Sequence, residues 1–210
     1  MNGGSGPTVT QSCGKENYGT SVTCSSWTGT GSVTAGDIVI VQMMAYAAGA
    51  TLPTNPTGCG ITFSQINSGT DSNSDAWSWN IGSVPSTTAC TLTITGSGAS
   101  GGVTIQAWDA NNVIATSDGT CSMTYQATSS SPVSGPSITT STSGDLILAS
   151  YASDSGSPTA TINSPFTQDY NGGAYFSLGH DVQASSGSIT PAWTISGFYD
   201  NLAGICAVKP

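Results

Sequence analysis

His180 is the only histidine in the chain, so any Ser-His-Asp arrangement has to run through it. Asp181 follows it directly, but adjacent strand residues point to opposite faces, which places that carboxylate badly for orienting the ring. No Gly-x-Ser-x-Gly elbow accompanies it. His180 alternates with Leu178 and Val182 and falls where an earlier segment has Trp79. That is the pattern of a packed, hydrogen-bonded histidine rather than of a general base. The acids give no clearer pair. A two-carboxylate hydrolase needs acids whose surroundings drive their pKa values apart. Here Glu16 lies between Cys13 and Cys24, and most Asp residues fall in turn-like sequence. Asp37 and Asp145 hold matching Gly-Asp positions ahead of apolar runs, where a carboxylate accepts backbone hydrogen bonds in a turn. These residues argue against an enzyme, and a secreted hydrolase is the least favoured reading.

Two other kinds of site can be drawn from residue types. Asp71, Asn73 and Asp75 offer oxygens at alternate positions, as the opening of a calcium loop does. The Gly and distal Glu of the helical calcium motif are missing, and a solvated acidic turn is the competing reading. No cofactor is expected beyond calcium at this loop. Sugar rings stack on aromatic faces, and the chain has five Trp and seven Tyr to supply them. Trp77, Trp79, Trp108 and Trp193 lie in strand patterns, where burial is the default. Trp27, Tyr170, Tyr175 and Tyr199 lie near turns and are the candidates for an exposed ligand-binding platform.

Charge narrows the partners. The 210 residues include two lysines, Lys15 and Lys209, no arginine and a formal net charge of −9. A phosphate backbone is held mainly by clustered Lys and Arg, so nucleic acid is excluded as a partner, and docking on an anionic membrane is disfavoured for the same reason. No apolar run approaches the length of a membrane span. Only 6% of residues are charged, against roughly 25% in an average soluble domain. Ser, Thr, Asn and Gly supply the polarity instead, which suits strands, tight turns and surfaces that pack on something else.

Six cysteines without a CxxC pair, and a single histidine far from all of them, read as disulfides rather than a zinc site. An oxidising, extracellular or cell-surface location follows. Met1-Asn2-Gly3-Gly4-Ser5-Gly6 is polar and not a secretory leader, so export implies a leader already removed. Of the fifteen possible pairings of six cysteines, proximity selects Cys13 with Cys24, Cys59 with Cys90 and Cys121 with Cys206.

An internal similarity runs along the chain. Gly36-Asp37-Ile38-Val39-Ile40 recurs as Gly144-Asp145-Leu146-Ile147-Leu148, and Ile61-Thr62-Phe63-Ser64-Gln65 as Ser164-Pro165-Phe166-Thr167-Gln168. Leu92-Thr93-Ile94 matches Trp193-Thr194-Ile195, and the stretch from Val103 to Ala107 matches that from Ala203 to Ala207. The runs 37–46 and 145–151 are continuously apolar and rich in β-branched residues, as expected of central strands covered on both faces. Trp77, Trp79 and Ile81 alternate with Ser78, Asn80 and Gly82, a period of two. Turn signals recur at short spacing, and no helical periodicity is present. The expected fold is all-β: two tandem copies of an antiparallel β-sandwich, Ig-like or jelly-roll-like, disulfide-bonded, with six or seven strands in each. Residues 1–112 form the first repeat with an N-terminal strand and 113–210 the second, joined within 109–119.

The Gly144–Leu148 string, the Pro165-Phe166-Thr167-Gln168 turn and the closing Leu202-Ala203-Gly204-Ile205-Cys206-Ala207-Val208-Lys209-Pro210 resemble duplicated Ser/Thr/Gly-rich β-sandwich modules of bacterial surface and secreted proteins and phage-related particles. The resemblance implies an extracellular structural, adhesive or ligand-binding module and supplies no catalytic residues. The expected function is therefore a non-catalytic extracellular structural or adhesive protein, a subunit of a surface or fibre-like assembly, with a carbohydrate-binding module as the alternative. Expected partners are further copies of itself, with 7–10 as an exchanged strand, or a surface glycan.

Overall fold

The structure, a computed structural model, describes residues 6–46, 49–52, 55–96, 102–127, 131–153, 159–172, 175–197 and 200–210. Among them there is no helix. Ten strands make a first group: β1 (Thr8–Asn17), β2 (Ser21–Cys24), β3 (Ser32–Val33), β4 (Ile38–Tyr46), β5 (Thr57–Gly58), β6 (Ser64–Thr70), β7 (Ala76–Ser83), β8 (Thr88–Ala89), β9 (Leu92–Thr95) and β10 (Gly102–Asn111). Ten more make a second. They are β11 (Ser122–Gln126), β12 (Val133–Ser134), β13 (Ile138–Thr139), β14 (Asp145–Ser153), β15 (Ala160–Ile162), β16 (Thr167–Asn171), β17 (Phe176–Gln183), β18 (Ser188–Ile189), β19 (Ala192–Ile195) and β20 (Asn201–Val208).

The first group contains a five-stranded sheet, β1-β10-β4-β7-β6, a three-stranded sheet, β2-β9-β5, and the pair β3-β8. The second contains β11-β20-β14-β17-β16, β12-β19-β15 and β13-β18. Adding ten to each strand number of the first group reproduces the second. The likeness extends to irregularities. The β6–β7 ladder slips between Gln65 and Asn67, and the β16–β17 ladder slips between Gln168 and Tyr170. Each slip leaves one extra residue, Ile66 and Asp169, in a bulge at the same place.

The registers refine two of the sequence matches. Ile40 lies opposite Ile81, and Leu148 lies opposite His180. With Asp37 aligned to Asp145, Leu178 takes the place of Trp79, and His180 takes that of Ile81. Trp108 pairs with Ile40 and Cys206 with Leu148, so the β10 and β20 match also moves by two residues. A shift of two keeps every side chain on its face, and sequence alternation alone cannot detect it.

Both faces of β4 and β14 are covered, so both strands are buried at every residue and are apolar but for Gln42 in the first and Asp145, Ser150 and Ser153 in the second. From β4, Val39, Val41, Met43 and Ala45 join Val22, Val33, Leu92 and Ile94 in a core shared with the first group's small sheets. From β14, Ile147, Ala149 and Tyr151 do the same with Val133, Ile138 and Trp193. The opposite faces meet each other: Ile38, Ile40 and Met44 share a third core with Leu146, Leu148 and Ala152. The two five-stranded sheets thus lie face to face. Gly14 of β1 belongs to this contact, because a Cβ there would stand 2.5 Å from the Phe176 ring of β17.

Three disulfides, Cys13–Cys24, Cys59–Cys90 and Cys121–Cys206, close the chain in the pairs that proximity selects. Of the expected exchange segment 7–10, Thr8 and Val9 pair with Asn111 and Ala110 in the chain's own sheet. Asp109, placed at the start of the expected join, lies inside β10 and is 2% exposed.

Candidate functional site

The strongest polar constellation lies where the two groups meet. The bulge in β16 turns Asp169 toward β17 and β10. Its Oδ1 lies 2.6 Å from His180 Nδ1, and its Oδ2 accepts the Trp108 indole N–H at 3.1 Å. The Asp169 carbonyl accepts the Ser12 hydroxyl at 3.3 Å. One residue of the second group is therefore bonded to β1 and β10 of the first, and it also orients the histidine. Sequence reasoning discounted Asp181 correctly but missed Asp169. Its only signal was the Gln-Asp-Tyr run aligned with the bulge at Ile66.

Both Asp169 oxygens are engaged, and among the described residues no Ser or Thr hydroxyl bonds the imidazole. A nucleophile-base pair needs that contact. What the arrangement does is satisfy the N–H of a buried indole, where an unpaired donor costs about 1–3 kcal/mol. Asp169→Ala is expected to lower stability by roughly that amount. Chemical denaturation checks it, and Asp169→Asn, which keeps an acceptor, should lose less.

Other polar bonds cross the same layer. Gln42 Nε2, which also donates to Met43 O of its own strand at 2.8 Å, reaches across to Met123 Sδ at 3.1 Å. Gln106, directly opposite Gln42 in the sheet, reaches Tyr151 O at 3.5 Å. Asn67 Nδ2 donates to Cys121 O at 2.7 Å. Such bonds fix the relative register of two faces that apolar packing alone would leave free to slide.

Asp145, expected to accept backbone hydrogen bonds in a turn, is fully buried at the start of β14, where neither of its carboxyl oxygens accepts one. The acid that acts on its carboxyl is Asp118, which itself accepts Ser141 N at 2.8 Å, Ser141 Oγ at 2.8 Å and Thr142 N at 2.8 Å. Two carboxylates can bond only if one carries a proton, and the donors decide which. Burial alone would raise Asp118, but the Ser141 and Thr142 donors outweigh it and hold Asp118 below the usual carboxylate range. Asp145 is pushed up to about 6, first by burial, then by its bond to Asp118 and the repulsion between them, with Lys209 pulling partly the other way.

A pH dependence follows. The folded chain holds the Asp145 proton more tightly than the unfolded chain does. Near pH 4 both states keep much of it, and between about pH 4 and 6 the unfolded state ionises first, so stability falls across that window and levels off above it. Asp145→Asn, which can still donate to Asp118, is expected to match the native chain near pH 4. At pH 7 it should exceed it by about 1–3 kcal/mol. Thermal melts of the two proteins from pH 4 to 8 check this; parallel curves would contradict it.

The remaining candidates separate. Trp27 is no platform: it is 8% exposed, packs in the first group's core and donates its indole N–H to Cys90 O at 3.0 Å. The Cys59–Cys90 bridge draws that segment inward, which its turn-like neighbours did not show. Tyr170 is half-buried and stacks on Phe176 at 5.7 Å, and Tyr175 meets Tyr18 edge-on at 6.4 Å. Tyr199 lies outside the described residues. In the acidic loop, Asp71 Oδ1 accepts Asn73 N at 2.8 Å and Asp75 N at 3.1 Å, and Asn73 Nδ2 reaches Asp75 Oδ2 at 3.3 Å. That is a turn closed on itself. Among the described residues no three Asp, Glu, His or Cys side chains gather in a way that could hold a metal.

No family model, curated protein or solved structure matches this chain, so the function has to be argued from the geometry itself.

Proposed function

We propose that the chain is a non-catalytic extracellular structural or adhesive protein, a subunit of a surface or fibre-like assembly, made of two copies of one β-sandwich unit. The copies correspond to residues 1–112 and 113–210. The observation that carries the reading is the buried layer between the two five-stranded sheets, which joins both groups into one block, while the sole histidine is held by Asp169. The matching strand orders and the matching bulges support duplication. Three disulfides, and no helix long and apolar enough to cross a membrane among the described residues, are compatible with secretion.

Self-association has a place to start. The edge strand β6, Ser-Gln-Ile-Asn-Ser-Gly-Thr, is mostly exposed and contains no charge or proline, two of the devices that block strand addition, and its one irregularity is the bulge at Ile66. Sedimentation velocity and negative-stain electron microscopy over a range of concentrations test the reading. The expected outcome is oligomers or fibres that Ser68→Lys weakens. Monomers at every concentration, without retention on any surface, would overturn it.

A carbohydrate-binding module is the second reading, favoured by Tyr18, which is 66% exposed and in contact with Tyr175. It predicts retention on an insoluble polysaccharide that Tyr18→Ala or Tyr175→Ala abolishes; an empty glycan array removes it.

A further inference from the structure

Acid unfolds proteins by a small number of routes. Protonated carboxylates leave the cations unbalanced, and the positive charges repel one another. Ion pairs and hydrogen bonds that need an ionised carboxylate are lost, and buried neutral histidines must take up charge. Each route is narrow in this chain.

With every carboxylate neutral, the side chains carry three positive charges, from Lys15, His180 and Lys209. An average soluble domain of this length, with roughly 25% charged residues, would carry about 25. The repulsion that swells an acidified protein therefore has almost no source. Among the described residues neither lysine bridges a carboxylate, and the one close ion pair is that of His180 with Asp169. The His180 side chain is 20% exposed and lies against that acid, so it can take up a proton without the fold opening. Asp181, next to it in β17, is its other acidic neighbour. Thr167 and Leu148, opposite it on β16 and β14, bring no charge.

The buried acids divide unequally. Burial is the largest cause acting on Asp37, Asp109, Asp145 and Asp181, and each is raised above the usual carboxylate range. Asp37 adds repulsion at Asp109, and Asp118 adds it at Asp145, where Lys209 pulls the other way. A raised acid contributes stability that is full below its unfolded value and is lost as pH rises through its folded one. Asp118 runs in the opposite sense. Burial works against its charge, but the Ser141 and Thr142 donors lower it, so its contribution fades below about pH 4.

We propose that the fold is acid-resistant: it keeps its tertiary structure at about pH 2, is most stable near pH 4, and serves in acidic surroundings. What holds it together is indifferent to protonation, namely three apolar cores and three disulfides. The sequence pI of about 4.1 places the least self-repulsion at the same pH. This stands whether or not the chain assembles.

Circular dichroism and thermal melts of the full chain from about pH 2 to 8 test it. The near-UV signal reports the fully buried Trp79, Trp108 and Trp193. That signal should persist at about pH 2, without uptake of a dye that binds exposed apolar surface, and Tm should peak near pH 4. A variant carrying Ser25→Lys, Thr57→Lys, Ser72→Lys, Thr124→Lys, Ser134→Lys and Ser185→Lys, all at exposed positions, supplies the missing cations. It should melt close to the native chain at about pH 7 and many degrees below it at about pH 2. Loss of the near-UV signal above about pH 2, or a Tm maximum at about pH 6 or higher, overturns the proposal. So does a lysine variant as acid-stable as the native chain, since scarcity of cations would then not be the cause. Should that variant fail to fold, the titration of the native chain still decides.

Discussion

Trp108→Ala is expected to unfold about 3–5 kcal/mol more easily than the native chain, the range for truncating a buried tryptophan. Trp108 is fully buried on the face of β10 that meets the second group. Its ring stacks on Trp79 at 5.9 Å, and its N–H reaches Asp169. Truncation therefore opens a void between two sheets that are each stiffened by their own ladders and cannot easily collapse into it. At roughly 2–4 °C per kcal/mol for a chain of this size, the melting temperature should drop by about 6–20 °C. Trp108→Phe separates the two contributions: it keeps most of the volume and gives up the hydrogen bond, so it should lose considerably less. A Trp108→Ala protein within about 1 kcal/mol of the native one would mean that the layer is loose.

The second large effect concerns Cys121–Cys206, which spans 85 residues, against 31 for Cys59–Cys90 and 11 for Cys13–Cys24. In the chain-entropy account, opening these loops releases about 4–5, 4 and 3 kcal/mol respectively to the unfolded state. Cys121 and Cys206 also sit in the layer shared by the two groups, so their loss thins the packing there as well. Urea denaturation of the three paired Cys→Ala variants should rank Cys121→Ala/Cys206→Ala as the least stable. Finding Cys13→Ala/Cys24→Ala worse would show that local strand geometry outweighs loop closure.

Much of the architecture was legible because it rests on period-two patterning. The uninterrupted runs of β4 and β14 announced burial on both faces, and both are the central strands of their sheets. The alternation of Trp77, Trp79 and Ile81 put them on one face, where they line the shared layer. What covers that second face was not legible, since a run buried by a second sheet reads the same as one buried by a loop. The polar sites were less visible still. Asp169 acts because a bulge re-aims it, Asp118 acts on Asp145 across 27 positions of chain, and Asp109 fell within the expected join at 109–119. In each case a long-range contact decides the role, and local spacing carries no trace of it. Trp27 shows the reverse error: a turn-like neighbourhood suggested exposure, but a disulfide and a backbone acceptor hold it in the core.

Differential scanning calorimetry of the intact chain, with the far-UV signal followed in parallel, asks whether the face-to-face sheets make a single unit. If Ile40, Trp79 and Trp108 truly share one dry layer with Leu148, Leu178 and Cys206, neither half can melt while the other stays folded. The two probes should then report one coincident transition, with calorimetric and van't Hoff enthalpies equal. Two resolved transitions, each carrying about half the heat, would show that the halves fold independently and that the layer does not join them.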